Sequence, residues 1–291
     1  MKILIIGGSY FVGRVLTLMA SKNHELTLVN RGHYSMEDYG VKEYHFDRHD
    51  QMAWRNMSYE NYDAVVDLCA YQKGDIQIVA NCLNGNIKHY VFISTVDVYQ
   101  RQTGVYKDEN HPLEFRHFNG EVGDYICGKV ALEKELQEIG IPYTSLRPGN
   151  IYGPFNYAPR ESEFIKRVIH KEPLYNINEA QAKFQLVYVK DVVNAILKVI
   201  ENKAYHKIYN VISPQCISYL DIYQCFSDAI IQEKSLQELM NENYPLPYPI
   251  GKEEEELYDG KLIEQELGLK YTSLLEGMRK TYEALLPLSG L

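Results

Sequence analysis

The sequence predicts an α/β fold, a doubly wound and mainly parallel sheet with helices on both faces, joined to a smaller C-terminal lobe. Three observations carry that prediction. Short apolar runs alternate with amphipathic helical stretches at the spacing of repeated βαβ units. The first run, Lys2-Ile3-Leu4-Ile5-Ile6, passes directly into Gly7-Gly8. Proline, tyrosine and asparagine cluster at 152–159 and again at 244–251, the composition of loops that line or join a second lobe. With 291 residues the chain can bury a substantial core. The division this suggests is 1–153 with 183–213 for the sheet domain, and 154–182 with 214–291 for the lobe.

The elements follow in order. Residues 2–6 are continuously apolar and β-branched, as in a strand buried on both faces. Gly7-Gly8-Ser9-Tyr10-Phe11-Val12-Gly13 then leads into Arg14-Val15-Leu16-Thr17-Leu18-Met19-Ala20, whose apolar spacing suits a helix packed on the sheet. Strand, glycine turn and helix in this order make the Rossmann-type phosphate cradle. Gly7 permits the tight turn, Gly13 lets helix and strand approach, and the helix N-terminus offers N–H groups to a pyrophosphate. A structural turn without ligand is the alternative. The next strand, 26–30, ends at Asn30-Arg31, where a dinucleotide's adenosine ribose would lie. The acid that would hold the NAD ribose is missing, and Arg31 can accept a 2′-phosphate, so the cofactor expected is NAD(P) with a leaning to NADP. A solvated turn charge is the other reading of Arg31.

Further strands are predicted at 43–45, 64–68, 89–94, 143–147, 185–189 and 207–211. Helices are predicted at 77–83, 124–138, 161–170, 191–201, 219–231 and 273–285. The last opens with Ser273-Leu274-Leu275-Glu276, the pattern of a capping box.

Composition narrows the function. A formal charge of −9 argues against general affinity for nucleic acid or anionic membrane, both of which reward a basic surface. No apolar run is long enough to span a bilayer, and the first is too short for a signal-peptide core, so the expected location is cytoplasmic. Five cysteines without C-x-x-C spacing read as buried reduced thiols, and no metal site is expected. The run Glu253-Glu254-Glu255-Glu256 reads as a solvated face or loop, and the histidines as structural or exposed.

Tyr125 and Lys129 stand four residues apart, on one face of the helix predicted there, and can make an acid/base pair. Alone the spacing is weak, because 25 tyrosines and many lysines would give roughly one or two such pairs by chance. Tyr248 and Lys252 share it, but Pro245, Pro247, Pro249 and Gly251 make that segment a loop.

Taken with the glycine turn and Thr95, the pair gives a family resemblance across nearly the whole chain. It resembles the extended short-chain dehydrogenase/reductase superfamily, in particular its NAD-dependent epimerase/dehydratase branch. Gly7 to Gly13 is similar to that branch's GGTGFIG, and Phe92-Ile93-Ser94-Thr95-Val96-Asp97-Val98-Tyr99 to its FSSxxVYG. Tyr125 and Lys129 match YxxxK, Leu146-Arg147-Pro148-Gly149-Asn150-Ile151-Tyr152-Gly153-Pro154 matches LRPxNVYGP, and Val187-Tyr188-Val189-Lys190-Asp191-Val192 resembles FVHVDDV. The resemblance implies a cofactor site made by Gly7, Ser9, Tyr10, Phe11, Val12, Gly13, Asn30, Arg31, Asp47, Arg48, Leu68, Cys69, Ala70, Tyr125, Lys129 and Pro148. It also implies a small-molecule, carbohydrate-like substrate and a homodimer formed through the tyrosine helix. Tyr10 departs from the family's middle glycine and is similar to an atypical branch bearing GGTRFIG, which includes chloroplast RNA-binding proteins.

For hydride chemistry at a secondary alcohol or ketone, Tyr125 would move the hydroxyl proton once its pKa falls from about 10, with Lys129 supplying a nearby positive charge and a donor to the nicotinamide ribose. Thr95 would donate to the developing alkoxide. Asp97 reads as a turn residue ahead of a proton-abstracting base, which ranks dehydration below epimerisation and reduction. Arg160 is a clamp for an anionic group or a partner of Glu161 or Glu163. Asn150 and Arg160 complete the expected substrate contacts with Asp97. The competing reading is a non-enzymatic module that senses dinucleotide or binds RNA.

Overall fold

The structure is a computed structural model that describes residues 1–57 and 60–288; residues 58–59 of the predicted sheet domain and 289–291 of the predicted lobe lie outside it. The strands are β1 Lys2–Ile6, β2 Glu25–Asn30, β3 Lys42–His45, β4 Ala64–Asp67, β5 Tyr90–Ile93, β6 Tyr106–Lys107, β7 Tyr143–Pro148, β8 Asn150–Tyr152, β9 Leu174–Ile177, β10 Leu186–Tyr188, β11 Lys207–Val211, β12 Ile231–Lys234 and β13 Leu257–Tyr258. The α-helices are α1 Phe11–Ala20, α2 Gln51–Asn56, α3 Asp75–Leu83, α4 Glu121–Glu138, α5 Glu161–Ile169, α6 Val189–Glu201, α7 Tyr219–Tyr223, α8 Leu236–Asn241, α9 Lys261–Leu267 and α10 Leu274–Leu285.

Seven parallel strands form the central sheet in the order β11-β7-β5-β4-β1-β2-β3. The winding reverses between β1 and β4, and the carboxyl ends of strands at such a switch point are where open α/β sheets bind ligands. Alternate side chains of one strand enter opposite faces. Ile3 and Ile5 of β1 join a core with Leu16 of α1 and Val192 and Ile196 of α6. Leu4 and Ile6 join a second core with Ile76 and Val79 of α3 and Leu132 of α4. The same alternation in β5 sends Val91 and Ile93 one way and Tyr90 and Phe92 the other. The continuous apolar runs of the sequence are therefore strands covered on both faces.

A third core surrounds Phe164 of α5, with Tyr219, Tyr223 and Tyr248 from the stretches expected to form the lobe and Tyr152 and Phe184 from the edges of the expected sheet domain. The helix α9, within the stretch assigned to that lobe, instead packs Ile263 against the sheet core.

Several predicted elements change. The helix expected at 219–231 ends at Tyr223, and Ile231 starts β12, which pairs in parallel with β9. The strand expected at 185–189 is shorter and lies on β8 outside the central sheet, because Val189 begins α6. Ser273 caps α10 by accepting the Glu276 N–H at 3.3 Å, but the Glu276 carboxylate pairs with Lys280, so the reciprocal half of the capping box is missing. The acidic run is not a solvated face throughout. Glu255 is buried, takes Lys252 at 2.6 Å and accepts the Lys183 N–H at 2.9 Å, and Glu256 pairs with the buried Lys107. The five cysteines are free thiols but half-buried rather than buried. Tyr248 lies in a loop, its ring stacked on Phe184 at 4.5 Å.

Candidate active site

A cleft of about 1530 Å³ opens over the carboxyl ends of β1, β2, β4 and β5 and continues beneath the lobe. Its first wall is the glycine turn. Gly7 has φ +93°, open to glycine at little cost. A Cβ on Gly13 would stand 2.2 Å from the Gly7 carbonyl oxygen, so only glycine lets α1 lie this close to the turn. Thr17 donates to the carbonyls of Gly8 and Gly13, both at 2.8 Å, and fixes the turn from behind. No side chain caps α1 and its first turn carries no acid, which leaves its amides suited to an anion. Ser9, Tyr10, Phe11 and Val12 line the cleft with Gly7 and Gly13.

At the end of β2, the Asn30 amide is engaged by the protein on both of its polar atoms. Its Oδ1 accepts the Gly32 N–H at 2.7 Å and its Nδ2 donates to Glu43 at 3.1 Å. Arg31 beside it is exposed on the cleft wall. Asp47 is exposed and accepts the His49 N–H at 2.9 Å, which, with the His49 ring, holds its carboxyl below its ordinary range. Arg48 borders the cleft but its guanidinium is committed to a fork on Asp67, two bonds of 2.8 Å, and to the Asp75 carbonyl. Burial alone would push the Asp67 carboxyl up, but Arg48, Tyr90 and the Cys69 N–H outweigh it and keep the group ionised. The sequence offered Arg48 to the cofactor; its visible work is to fix the end of β4, where Leu68 and Cys69 face the cleft.

The helix α4 carries Tyr125 and Lys129. Glu121 and Asp124 in its first turn favour its N-terminal dipole. Gly128, to which sequence reasoning gave no role, lies under the loop after β4, where a Cβ would come 1.9 Å from the Tyr71 carbonyl oxygen. That approach brings Lys129 within reach of two backbone carbonyls. Its Nζ donates to Ala70 at 2.9 Å and to Ile93 at 2.8 Å, and it lies 5.7 Å from the centroid of the Tyr125 ring. Ala70 is fully buried and serves through its carbonyl rather than as part of the cleft wall. Burial lowers the Lys129 pKa to about 8. The Tyr125 pKa is not lowered as expected: burial and then the Asp97 carboxylate raise it above its ordinary value, with only partial opposition from the Thr95 hydroxyl.

Thr95 follows β5 and caps a short 3-10 turn, Val96–Val98, by accepting the Asp97 N–H at 3.2 Å. Its hydroxyl donates to Asp97 Oδ2 at 2.9 Å. Asp97 is thus a turn residue whose carboxylate also holds the Thr95 proton. Pro148, Asn150 and Arg160 line the same cleft, and Arg160 donates to Asn150 at 3.1 Å. The alternative pairing fails on geometry: Glu161 is buried against Gly153 and Asn156, and Glu163 pairs with Lys166. Arg101, Tyr157, Glu253, Glu254 and Glu256 also line the cleft and had no predicted role. Among the described residues no group of three or more His, Cys, Asp or Glu could hold a metal ion, and no helix is long and apolar enough to cross a membrane.

A doubly wound sheet with a glycine-turn cradle and a tyrosine-lysine helix beside it defines a dinucleotide-binding class of α/β protein. Residues 3–211 match the NAD dependent epimerase/dehydratase family, and the chain belongs to it. Among curated proteins, the chloroplast stem-loop binding protein of 41 kDa b of Arabidopsis thaliana is 29% identical over 75% of this chain and 60% of its own length. UDP-D-apiose/UDP-D-xylose synthase 2 of the same plant is 28% identical over 48% of this chain and 44% of its own. The chain therefore spans less than two thirds of the length of these relatives. Among solved structures, UDP-glucose 4-epimerase of Thermotoga maritima, with UDP-glucose, superposes with TM-score 0.75 and 20% identity over 99% of both chains. UDP-glucose 4-epimerase of Thermus thermophilus, in complex with NAD, gives 0.73 and 19% over 98% of both. These likenesses establish the shared fold.

Proposed function

We propose that this chain is an NAD(P)-dependent enzyme, an epimerase or reductase, acting at a secondary hydroxyl or ketone of a carbohydrate-like substrate such as a sugar nucleotide. One observation carries the reading: Lys129 is buried beside Tyr125 and held on the Ala70 and Ile93 carbonyls, and Thr95 lines the same cleft from the end of β5. A structural helix would have no need to bury an ammonium at that cost. The cleft fits a dinucleotide by the left-handed Gly7, the close approach at Gly13 and the uncapped start of α1.

Gly7 to Gly13 would hold the pyrophosphate and Lys129 the nicotinamide ribose. When bound, the nicotinamide accepts or returns a hydride. The chain's own residues manage the proton. With its pKa raised, Tyr125 is protonated at neutral pH and is ready to donate to a ketone oxygen; in the oxidising direction it would first have to give its own proton to solvent before it could take one from the hydroxyl. Asp97 orients Thr95, whose hydroxyl would turn from it to the substrate oxygen. Arg160 and Arg101 would meet an anionic group of the substrate. NADP is preferred over NAD in this reading, since Asn30 is spent on the turn and Arg31 is exposed beside it. The substrate lobe is taken as 154–182 with 214–291 apart from α9, which packs on the sheet core, and the separate core around Phe164 supports it. Exposed Val122 at the start of α4 is compatible with the homodimer.

The acidic charge and the intact Thr95, Tyr125 and Lys129 set weigh against an RNA-binding module, even with the stem-loop binding relative. A screen of sugar nucleotides and free sugars against the cofactor-loaded protein, followed by nicotinamide absorbance, tests the proposal. A productive match is expected among them; salt-sensitive RNA binding with no nicotinamide turnover would replace it.

A further inference from the structure

Tyr10 stands where the turn would otherwise carry its middle glycine, and its ring is 47% exposed in the cleft. It is not isolated. Its centroid lies 5.5 Å from that of Tyr34, beyond β2, and 5.1 Å from that of Tyr157, which comes from the lobe. Phe11 meets Tyr157 edge-on at 6.2 Å. These four rings all line the cleft, so an aromatic contact crosses it from the glycine turn to the segment 153–160.

That segment has a firm base and exposed tips. Gly153, at φ +134°, donates its N–H to the buried Glu161 at 3.0 Å, and Asn156 donates to the same carboxylate at 3.0 Å. A second bridge runs parallel to the first, with the Arg14 guanidinium 4.6 Å over the Phe155 ring. Phe155 and Tyr157 are 47% and 67% exposed, so they are not core residues that happen to touch the turn. Tyr157 lines the same cleft as Tyr71 and Tyr125.

We infer that 153–160 is an aromatic clasp over the pyrophosphate side of the cleft, in which Tyr157 closes on Tyr10 and sets how fast a bound dinucleotide leaves. The inference rests on the dinucleotide reading above. Tyr10 and Tyr157 are positioning residues in this scheme, acting through cofactor residence rather than on the reacting atoms. The contact is made by ring faces and edges, so the hydroxyl groups are dispensable.

Stopped-flow displacement of NADPH or NADH by excess oxidised nucleotide measures the release rate. Tyr157→Ala should release the reduced nucleotide between about two- and tenfold faster than the parent, the range of one aromatic contact. Tyr157→Phe should keep the parent rate, a rescue that a general structural defect would not give. Tyr10→Ala should speed release as well, and joining it to Tyr157→Ala should add little, since the two rings share one contact. Release from Tyr157→Ala at or below the parent rate, with binding intact, overturns the clasp and leaves the dinucleotide reading standing. Failure of the parent protein to bind either reduced nucleotide overturns both.

Discussion

Arg147 and Glu133 face each other across the join between β7 and α4, each side chain 2% exposed, with Arg147 Nε donating at 2.9 Å. The same arginine donates to the Tyr99 hydroxyl at 2.7 Å, which in turn donates to Asn210 Oδ1 of β11 at 2.6 Å. Glu133 lies one helical turn beyond Lys129, so this network locks the helix that carries Tyr125 to the edge of the central sheet. Removing one partner leaves a buried charge alone. Arg147→Met should cost about 3–5 kcal/mol of stability in urea unfolding, and adding Glu133→Leu should recover most of it.

The turn is equally intolerant of a single methyl group. Gly13→Ala would press a Cβ against the Gly7 carbonyl oxygen and the Gly8 Cα, both backbone atoms that have no rotamer to yield. A fluorescence titration should show dinucleotide affinity reduced by roughly tenfold or more, matching overpacking costs of about 1–3 kcal/mol.

Lys129 should leave a mark on the pH dependence of stability. Its pKa is lowered by burial to about 8 from an ordinary 10.5, so between these values the unfolded chain holds a proton that the folded chain has shed. Stability contributed through this group therefore rises with pH across that window, and the penalty is fully present below it. The cofactor-free parent should gain stability over pH 8 to 10.5 relative to Lys129→Met, measured by denaturant midpoints at each pH.

Arg31 tests the choice of cofactor. Arg31→Ala should weaken NADPH binding by roughly 10- to 100-fold, the range of charge-assisted hydrogen bonds, and leave NADH nearly unchanged. Equal effects on the two nucleotides would assign Arg31 to the protein surface alone.

The central sheet was legible because short apolar and β-branched runs mark its strands: residues 2–6, buried on both faces, and 207–211, at the sheet edge, agree with β1 and β11 to the residue. Periodicity misled where apolar residues continue past a turn. Tyr219 to Ile231 keeps a helical pattern, yet the chain turns after Tyr223 and Ile231 leaves the helix for a strand. Short elements such as α2 and α8 carry too few turns to show a period.

In the site, local motifs placed Gly7, Gly13, Thr95, Tyr125 and Lys129 around one cleft. The family resemblance placed Arg48 in the cofactor site, and only the fold shows its guanidinium turned to Asp67, 19 positions away. Gly128 carried a readable signal, a glycine inside a helix, which marks a close backbone approach. Tyr157 carried none, since its meeting with Tyr10 depends on the path of the chain between them.

The most direct test of Tyr125 as the acid/base is Tyr125→Phe, assayed with the substrate found in the screen and with dinucleotide binding measured in parallel. Turnover should fall by roughly 10²- to 10⁴-fold while the dinucleotide still binds. Parent-level turnover by Tyr125→Phe would contradict the account.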